Sequence, residues 1–371
     1  MRIAMIGHKR VPSREGGVEV VVWELAVRMA ALGHQVDCYN RREPGAPASP
    51  EICEGVRLID VPAPGRISLN AFVYAALAVI RAASRGYDVI HIHAAGPGAM
   101  AFLPRLLGIP VVVTIHGLDW RREKWGGLAR RYLIFAERTA VRCADAVIVL
   151  CESHRRYMRE RYGREAVRIP NGVTAVQNRS PREIERRWGL HGGDYILFVG
   201  RLVPEKRVQD LIRAYGGMRT PKRLVITGRI AGAYAREIAR MAREDERIVM
   251  ADFVSGEVLS ELLCNCALYV LPSSVEGMAL SLLEAMSCGV RCLVSDIPEN
   301  VEAGAGFVKA FEQGDADALR TQMCAWLAEP WTREKASRQA RSVRERHSWD
   351  AVVIRTLEVY EEAVRRRTAS S

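Results

Sequence analysis

Several familiar signatures are missing from this sequence, and each absence removes a class of function. No G-x-G-x-x-G follows the first strand-like run, Arg2–Ile6, and no Walker A motif occurs anywhere. Gly96-Pro97-Gly98 followed by Ala101 imitates a dinucleotide turn. The proline removes a needed N–H, and no acidic residue sits on a suitably placed next strand. A nicotinamide dehydrogenase is therefore disfavoured. The nine cysteines (Cys38, Cys53, Cys143, Cys151, Cys264, Cys266, Cys288, Cys292 and Cys324) form no pair of C-x2-C motifs, so no zinc framework is expected. Cys264 and Cys266, one residue apart, read as small apolar core residues. Scattered thiols fit a reducing, cytoplasmic compartment. The longest apolar run, Ala71–Ile80, is far shorter than the ~20 residues that span a bilayer. Met1–Gly7 precedes its charges His8, Lys9 and Arg10, the wrong order for a signal peptide. No helix-turn-helix or aromatic RNA-binding signature accompanies the basic charge, so nucleic acid is not the expected partner. Asp315-Ala316-Asp317 imitates a metal-binding D-x-D, but it precedes the helical pattern DALRTQMCAWL and reads as a helix cap. No metal or other cofactor is expected.

What is present is an ordinary globular composition in a long chain: 371 residues, 49% hydrophobic and 26% charged. That length exceeds one typical core, so two domains are the default. Of the net charge of +11, residues 1–175 carry nine, with 25 Lys and Arg against 16 Asp and Glu. A basic face of this kind attracts anionic lipid or phosphorylated substrates.

Strand-like and helix-like runs alternate, which points to α/β domains with parallel sheets. The first series of strands is Arg2–Ile6, Gln35–Asn40, Arg57–Val61, Val89–His93, Val111–Ile115 and Ala146–Leu150. The second is Tyr195–Gly200, Arg223–Thr227, Ile248–Ala251, Leu268–Leu271 and Cys292–Ser295. Helices are expected at Val18–Leu32, Val208–Ala214, Ala233–Glu244, Val258–Cys264 and Leu280–Ser287. Each half reads as its own doubly wound domain: 1–175, a glycine-rich linker at 176–192, and 193–348. The last segment, 349–371, is a long amphipathic helix expected to pack back on the first domain, with a basic tail RRRTASS expected to fray. In doubly wound sheets, ligands bind beyond the carboxyl ends of the strands. The loops after strands are where chemistry is expected.

After the first strand, Gly16 and Gly17 precede a helix and can let backbone approach a phosphate or sugar edge. His91 and His93 are expected on opposite sides of their strand, leaving the terminal His93 to reach a ligand. His116 follows the strand VVVTI beside Gly117, where it can donate to a sugar hydroxyl or carry a proton. In the second half, Arg201 and Lys206 share one loop after a strand and can hold a diphosphate. Glu276 lies in the loop after Leu268–Leu271, beside Gly277. Glu284 lies on the second turn of the helix that follows. Amides from Gly277 to Ala279 form a candidate anion cradle.

Together these pieces resemble a known family, the retaining family-4 glycosyltransferases of GT-B fold, whose two Rossmann-like domains face each other across a cleft. The matching segments are GGVE at 16–19, TIHG at 114–117, PNG at 170–172, GRLVPEK at 200–206 and the Glu-x7-Glu pair in EGMALSLLEAMSCG. The opening IGHKRVPSREGGVE looks like a bacterial branch that builds capsule, exopolysaccharide or cell-wall glycans, including rhamnosyltransferase-like members. The resemblance implies that Arg201 and Lys206 bind the donor diphosphate, Glu276 the donor sugar and Glu284 the ribose. It implies that Gly277, Met278 and Ala279 offer amides near sugar and phosphate. Gly17, with Gly16 beside it, would approach the diphosphate, and His116 would lie beside the transferred sugar. Arg201, Lys206, His116 and Glu276 are thus the candidate catalytic set. Glu19, His93, Asp119 and Asn171, in or beside the same motifs, are candidates for the acceptor side. Three departures alter the pocket wall: EGMA, ITGRIAG with Thr227-Gly228 and then Arg229, and VRC at 290–292.

The activity so implied is transfer of a sugar from a nucleotide diphosphate sugar to a hydroxyl, with retention of configuration and no metal. The acceptor would be a glycan or a lipid-diphosphate-linked sugar. The basic-flanked apolar stretch Arg66–Arg85 and the cluster Arg121, Arg122, Lys124, Arg130 and Arg131 suit an anionic membrane surface. A GT-B sugar-nucleotide epimerase shares the fold and is the alternative.

Overall fold

The computed structural model describes residues 1–63, 67–123, 125–176 and 179–369. The chain divides into two compact units. The first is drawn from Met1–Arg121, Trp125–Gly172 and Trp349–Ser371, the second from Arg122–Lys124 and Val173–Ser348.

The first unit is built on eight strands: β1 (Arg2–Ile6), β2 (Gln35–Arg42), β3 (Ile52–Cys53), β4 (Val56–Pro62), β5 (Val89–His93), β6 (Val111–Ile115), β7 (Ala146–Val149) and β8 (Val167–Arg168). Their order is β3-β4-β2-β1-β5-β6-β7-β8, all parallel except β3 against β4. β5 and β6 are buried at every residue. That is why VVVTI reads as a nearly continuous apolar run, since helices cover both faces of a parallel sheet, whereas VIHIH buries two histidines on one face. Helix Gly17–Ala31 covers the sheet with Val21, Val22, Leu25, Ala26 and Met29, the spacing of one helical face. It stops at Gly33, whose left-handed φ of +87° lets His34 N reach Met29 O.

Helix Trp349–Thr368 belongs to this unit as well. Its Tyr360 hydroxyl lies 2.5 Å from His91 Nδ1. Its Trp349 ring lies so close to Gly172 that a Cβ there would sit 2.3 Å from the indole. The glycine of PNG is therefore a packing requirement. The basic tail does not fray where expected: the helix runs through Thr368, because Arg367 pairs with half-buried Asp145 at 2.8 Å and Arg366 with Glu362. Ser370 and Ser371 lie outside the described residues.

The second unit has six parallel strands: β9 (Tyr195–Val199), β10 (Arg223–Thr227), β11 (Ile248–Met250), β12 (Leu268–Leu271), β13 (Cys292–Ser295) and β14 (Lys309–Phe311). Their order is β11-β10-β9-β12-β13-β14. Within the stretch 176–192, Glu183–Trp188 form a helix that buries Ile184, and the Arg182 and Ile184 amides donate to Glu261 Oε2. Asp315 caps helix Ala316–Ala328 by accepting from the Asp317 and Ala318 amides, the capping role read from the sequence.

The chain is thus two parallel-sheet, Rossmann-like α/β units. In each sheet the strand order reverses once, between β1 and β5 in the first and between β9 and β12 in the second. Loops leaving such a pair of strands diverge and leave a crevice at their carboxyl ends.

Candidate active site

In the second unit, the two loops at the reversal carry the charged residues singled out above. The first loop leaves β9 at Gly200, and its geometry depends on Gly228 after β10. Gly228 adopts φ +152°, and a Cβ on it would sit 2.2 Å from the Gly200 carbonyl oxygen. The retained glycine of ITGRIAG therefore fixes how closely the two strand ends approach. Arg201 then projects exposed, and Pro204–Lys206 form one 3-10 turn, pre-set by a proline at its start.

Lys206 Nζ is bonded to Glu276 Oε1 of the second loop, with side chains only 14% and 10% exposed. The loops are stitched again one residue away. The Glu205 carbonyl accepts the Ser274 amide at 2.8 Å and its hydroxyl at 3.3 Å. Ser295 Oγ donates to the Ser273 carbonyl at 2.5 Å, tying the second loop to β13. The loop then enters helix Leu280–Ser287. Its N-cap, Ala279, is extended and no side chain caps the helix start, so the first-turn amides are not taken by a cap. Gly277, Met278 and Ala279 are buried, which recesses the expected cradle below the surface. Leu282, Leu283, Ala285 and Met286 bury the inner face of the helix and leave Glu284 half-exposed on the other.

Sequence reasoning missed Glu205. The residue is 2% exposed and neither carboxylate oxygen has a hydrogen-bond partner among the described residues; Arg122 Nη1 stands 3.7 Å away. The only sequence signal was an acid wedged between Pro204 and Lys206 in a short turn.

In the first unit, Gly16 is the extended N-cap of helix Gly17–Ala31. Glu19 folds back over it: a Cβ on Gly16 would meet Glu19 Oε2 at 2.1 Å, and Glu19 Oε1 accepts the Lys9 amide at 2.9 Å. Glu19 thus holds the loop after β1 in shape. His8 in that loop is enclosed beside Asn40 Oδ1 at 3.1 Å, and burial pulls its pKa down to about 4.

The two strand histidines correct an expectation. His91 and His93 do not face opposite sides; their rings lie 4.0 Å apart, both fully buried. Residues two apart on a strand share a face, and that rule decides the case. His93 Nδ1 lies 3.0 Å from His116 Nε2, with the rings stacked at 5.3 Å. His116 is half-buried. His91 Nε2 lies 2.7 Å from Thr114 Oγ1. Burial pulls His91 down to about 3 and His93 well below the usual range, so both rings are neutral at pH 7. The end of β5 and the residue after β6 thus set three imidazoles in a row, of which His91 and His93 are enclosed and His116 is half-buried. Asp119 opens the 3-10 turn Asp119–Arg121, half-buried, and Asn171 is buried beside Gly172. Both follow strand ends of the first sheet, Asp119 after β6 and Asn171 after β8. Arg66 and Lys124 of the basic clusters lie outside the described residues.

Two family models tile the chain: glycosyltransferase family 4 over residues 15–176 and glycosyl transferases group 1 over 181–343. Alpha-maltose-1-phosphate synthase of Mycobacterium tuberculosis is 28% identical, covering 97% of this chain and 99% of that protein. Among solved structures, sucrose-phosphate synthase from Thermosynechococcus elongatus superposes with a TM-score of 0.81 at 22% identity over the whole of both chains. Anabaena HepE in complex with UDP and glucose gives 0.78 at 16% identity, over 98% of this chain and 100% of that one.

Proposed function

We propose that this chain, whose two halves match the models of glycosyltransferase family 4 and of glycosyl transferases group 1, is a family-4-like glycosyltransferase that transfers a sugar from a nucleotide diphosphate sugar to a hydroxyl of a glycan or lipid-linked acceptor. The transfer retains the anomeric configuration and requires no metal. The observation that carries this reading is the Lys206–Glu276 pair at the strand reversal of the second sheet, with exposed Arg201 on the same loop.

Lys206, Arg201 and the uncapped helix start at Ala279 supply positive potential where charge grows on a departing diphosphate, a stabilisation worth about 3–4 kcal/mol per well-placed donor. Glu276 takes hydroxyls of the donor sugar and Glu284 the ribose diol. Attack comes from the face the leaving group departs, with a donor phosphate oxygen taking the acceptor proton.

The first unit presents the acceptor. Its helix Gly127–Cys143 turns outward a stripe of Leu128, Arg131, Phe135, Arg138 and Arg142, spaced three and four residues apart and all exposed. Leu128 is 85% and Phe135 61% exposed, unusual for large apolar side chains between cations. The combination suits a lipid-diphosphate acceptor at an anionic inner membrane face, in surface polysaccharide synthesis. No helix among the described residues is long and apolar enough to cross a membrane.

The test is a panel of nucleotide sugars scored by thermal shift and by slow donor hydrolysis. At least one is expected to stabilise the protein and to be turned over. A panel in which none does either overturns the reading.

A further inference from the structure

The second unit brings two thiols together beside the helix that carries Glu284. Cys264 lies near the end of helix Gly256–Asn265, and Cys288 directly follows helix Leu280–Ser287. Their sulfurs are 3.2 Å apart. Both are partly exposed, whereas Cys266 and Cys292 nearby are enclosed, with burial pushing their thiols up. The pair is also asymmetric. The two thiols share a hydrogen bond in which either sulfur can be the donor, and a main-chain hydrogen bond at Arg179 also reaches Cys264. Together these hold the Cys264 thiol below its ordinary range in spite of burial, while the same bond and burial push Cys288 up. Two partly exposed thiols in contact, one of them also held by a main-chain hydrogen bond, have the geometry of an attacking and a resolving thiol.

We propose that Cys264 and Cys288 form a reversible dithiol–disulfide site on the donor-side unit, with Cys264 attacking and Cys288 resolving. The oxidant is a low-molecular-weight disulfide, of which oxidised glutathione is the probe. The Cys264 thiolate attacks one sulfur of that disulfide, forms a mixed disulfide and expels one thiolate, which takes up a proton. Cys288 then loses its proton and attacks the Cys264 sulfur, expelling the second small thiol. Two protein thiols are oxidised and one small disulfide is reduced to two thiols. A disulfide needs the sulfurs at about 2.05 Å, so they must close by roughly 1 Å.

That closure pulls on the end of the Glu284 helix. The Cys288 amide is bonded to the Glu284 carbonyl at 3.2 Å, and Ser287 Oγ to the same carbonyl at 2.8 Å. Gly289 holds the next turn with φ +74°, and a Cβ on it would lie 2.9 Å from the Ala336 carbonyl oxygen. The crosslink therefore joins helix Gly256–Asn265 to the segment that positions Glu284. This consequence rests on the donor role proposed for Glu284; the bond itself does not.

The experiment treats the full chain with excess oxidised glutathione and reads intact mass and non-reduced peptide maps. The expected result is a crosslinked peptide joining Cys264 to Cys288, lost on adding dithiothreitol. The Cys288→Ser variant should instead trap one glutathionyl group on Cys264. Exposed Cys324 reports that the reagent acted. Modification of Cys324 with Cys264 and Cys288 left as free thiols overturns the proposal, as does a Cys288→Ser protein with no adduct on Cys264. A second readout is the thermal shift with UDP and GDP. The shift is expected to fall at least twofold in the crosslinked protein and to return on reduction; an unchanged shift overturns the coupling to the Glu284 helix. A reduced protein that no nucleoside diphosphate stabilises counts against the donor site alone, because the mass spectrum reads the bond independently.

Discussion

Lys206 and Glu276, seventy residues apart in the chain, close a largely buried ion pair between the loops that follow β9 and β12. The sequence assigned them separate duties, the cation to a diphosphate and the carboxylate to a sugar. Their pairing makes each the counter-charge of the other, so neither group is held by its own loop alone. A change of charge at one is felt at the other.

Arg201 and Lys206 should therefore behave differently when removed. Arg201 is exposed, so Arg201→Ala is expected to cut turnover about 100-fold or more with an unchanged melting temperature. Lys206→Ala is expected to cut turnover comparably and also to lower the melting temperature by a few degrees, because it strands Glu276. Neither variant should be unfolded at 25 °C. Steady-state kinetics beside differential scanning fluorimetry check both. Wild-type rates in both variants sink the assignment.

Coupling can be measured directly. In a cycle of Lys206→Met, Glu276→Gln and the double variant, the stability losses should fall short of adding, with an interaction of about 1–3 kcal/mol. Urea unfolding of the four proteins gives the number. Additive losses would mean that the pair contributes nothing by its contact.

Glu284 sits on the half-exposed face of its helix, four residues before Cys288 and off the buried inner face. Glu284→Ala should leave folding intact. It should raise KM for the nucleotide donor about tenfold, the loss of one or two charge-assisted hydrogen bonds, with kcat changed less. A deoxyribose donor should show a smaller effect of the same substitution. Equal effects on both donors would move Glu284 away from the ribose.

Much of this was legible in the sequence. Parallel strands buried on both faces announce themselves as β-branched runs, and β1, β5, β6, β10, β12 and β13 were read to the residue. The strands that escaped, Ile52–Cys53, Val167–Arg168 and Lys309–Phe311, are too short to carry a period. The charged loops were legible because strand ends are where such sheets bind ligands. The Lys206–Glu276 bond was not, since pairing across the sheet depends on strand order, which no local pattern encodes. Buried Glu205 escaped for the same reason, since its surroundings come from distant segments, whereas the shared face of His91 and His93 follows from the two-residue period of a strand.

The outward stripe on helix Gly127–Cys143 makes a prediction about lipid. The protein should float with liposomes containing anionic lipid at low salt and be released as salt rises. Leu128→Asp with Phe135→Asp should abolish flotation without lowering stability, since both side chains are exposed. Turnover of a soluble acceptor should survive in that variant. No flotation of the unaltered protein at low salt would count against the membrane.

Acid sensitivity follows from the enclosed histidines of the first unit. His8, His91 and His93 have native pKa values of about 4, about 3 and well below the ordinary 6.5, because burial penalises the charged ring. Above pH 6.5 these rings are neutral folded or unfolded, and their contribution to stability is fully present. As pH falls below 6.5 the unfolded chain takes up protons that the native fold refuses, so stability drops through the window from 6.5 toward 4 and then 3. Each ring steepens the slope by up to about 1.4 kcal/mol per pH unit well inside that window. Urea unfolding at pH 7.5, 6.5, 5.5 and 5.0 should show falling stability at the lower values. His91→Gln, which keeps polar atoms near Tyr360 and Thr114 but cannot be protonated, should flatten the slope by one ring's share. If His91→Gln loses stability equally at every pH, the ring's role is packing alone and the acid sensitivity has another source.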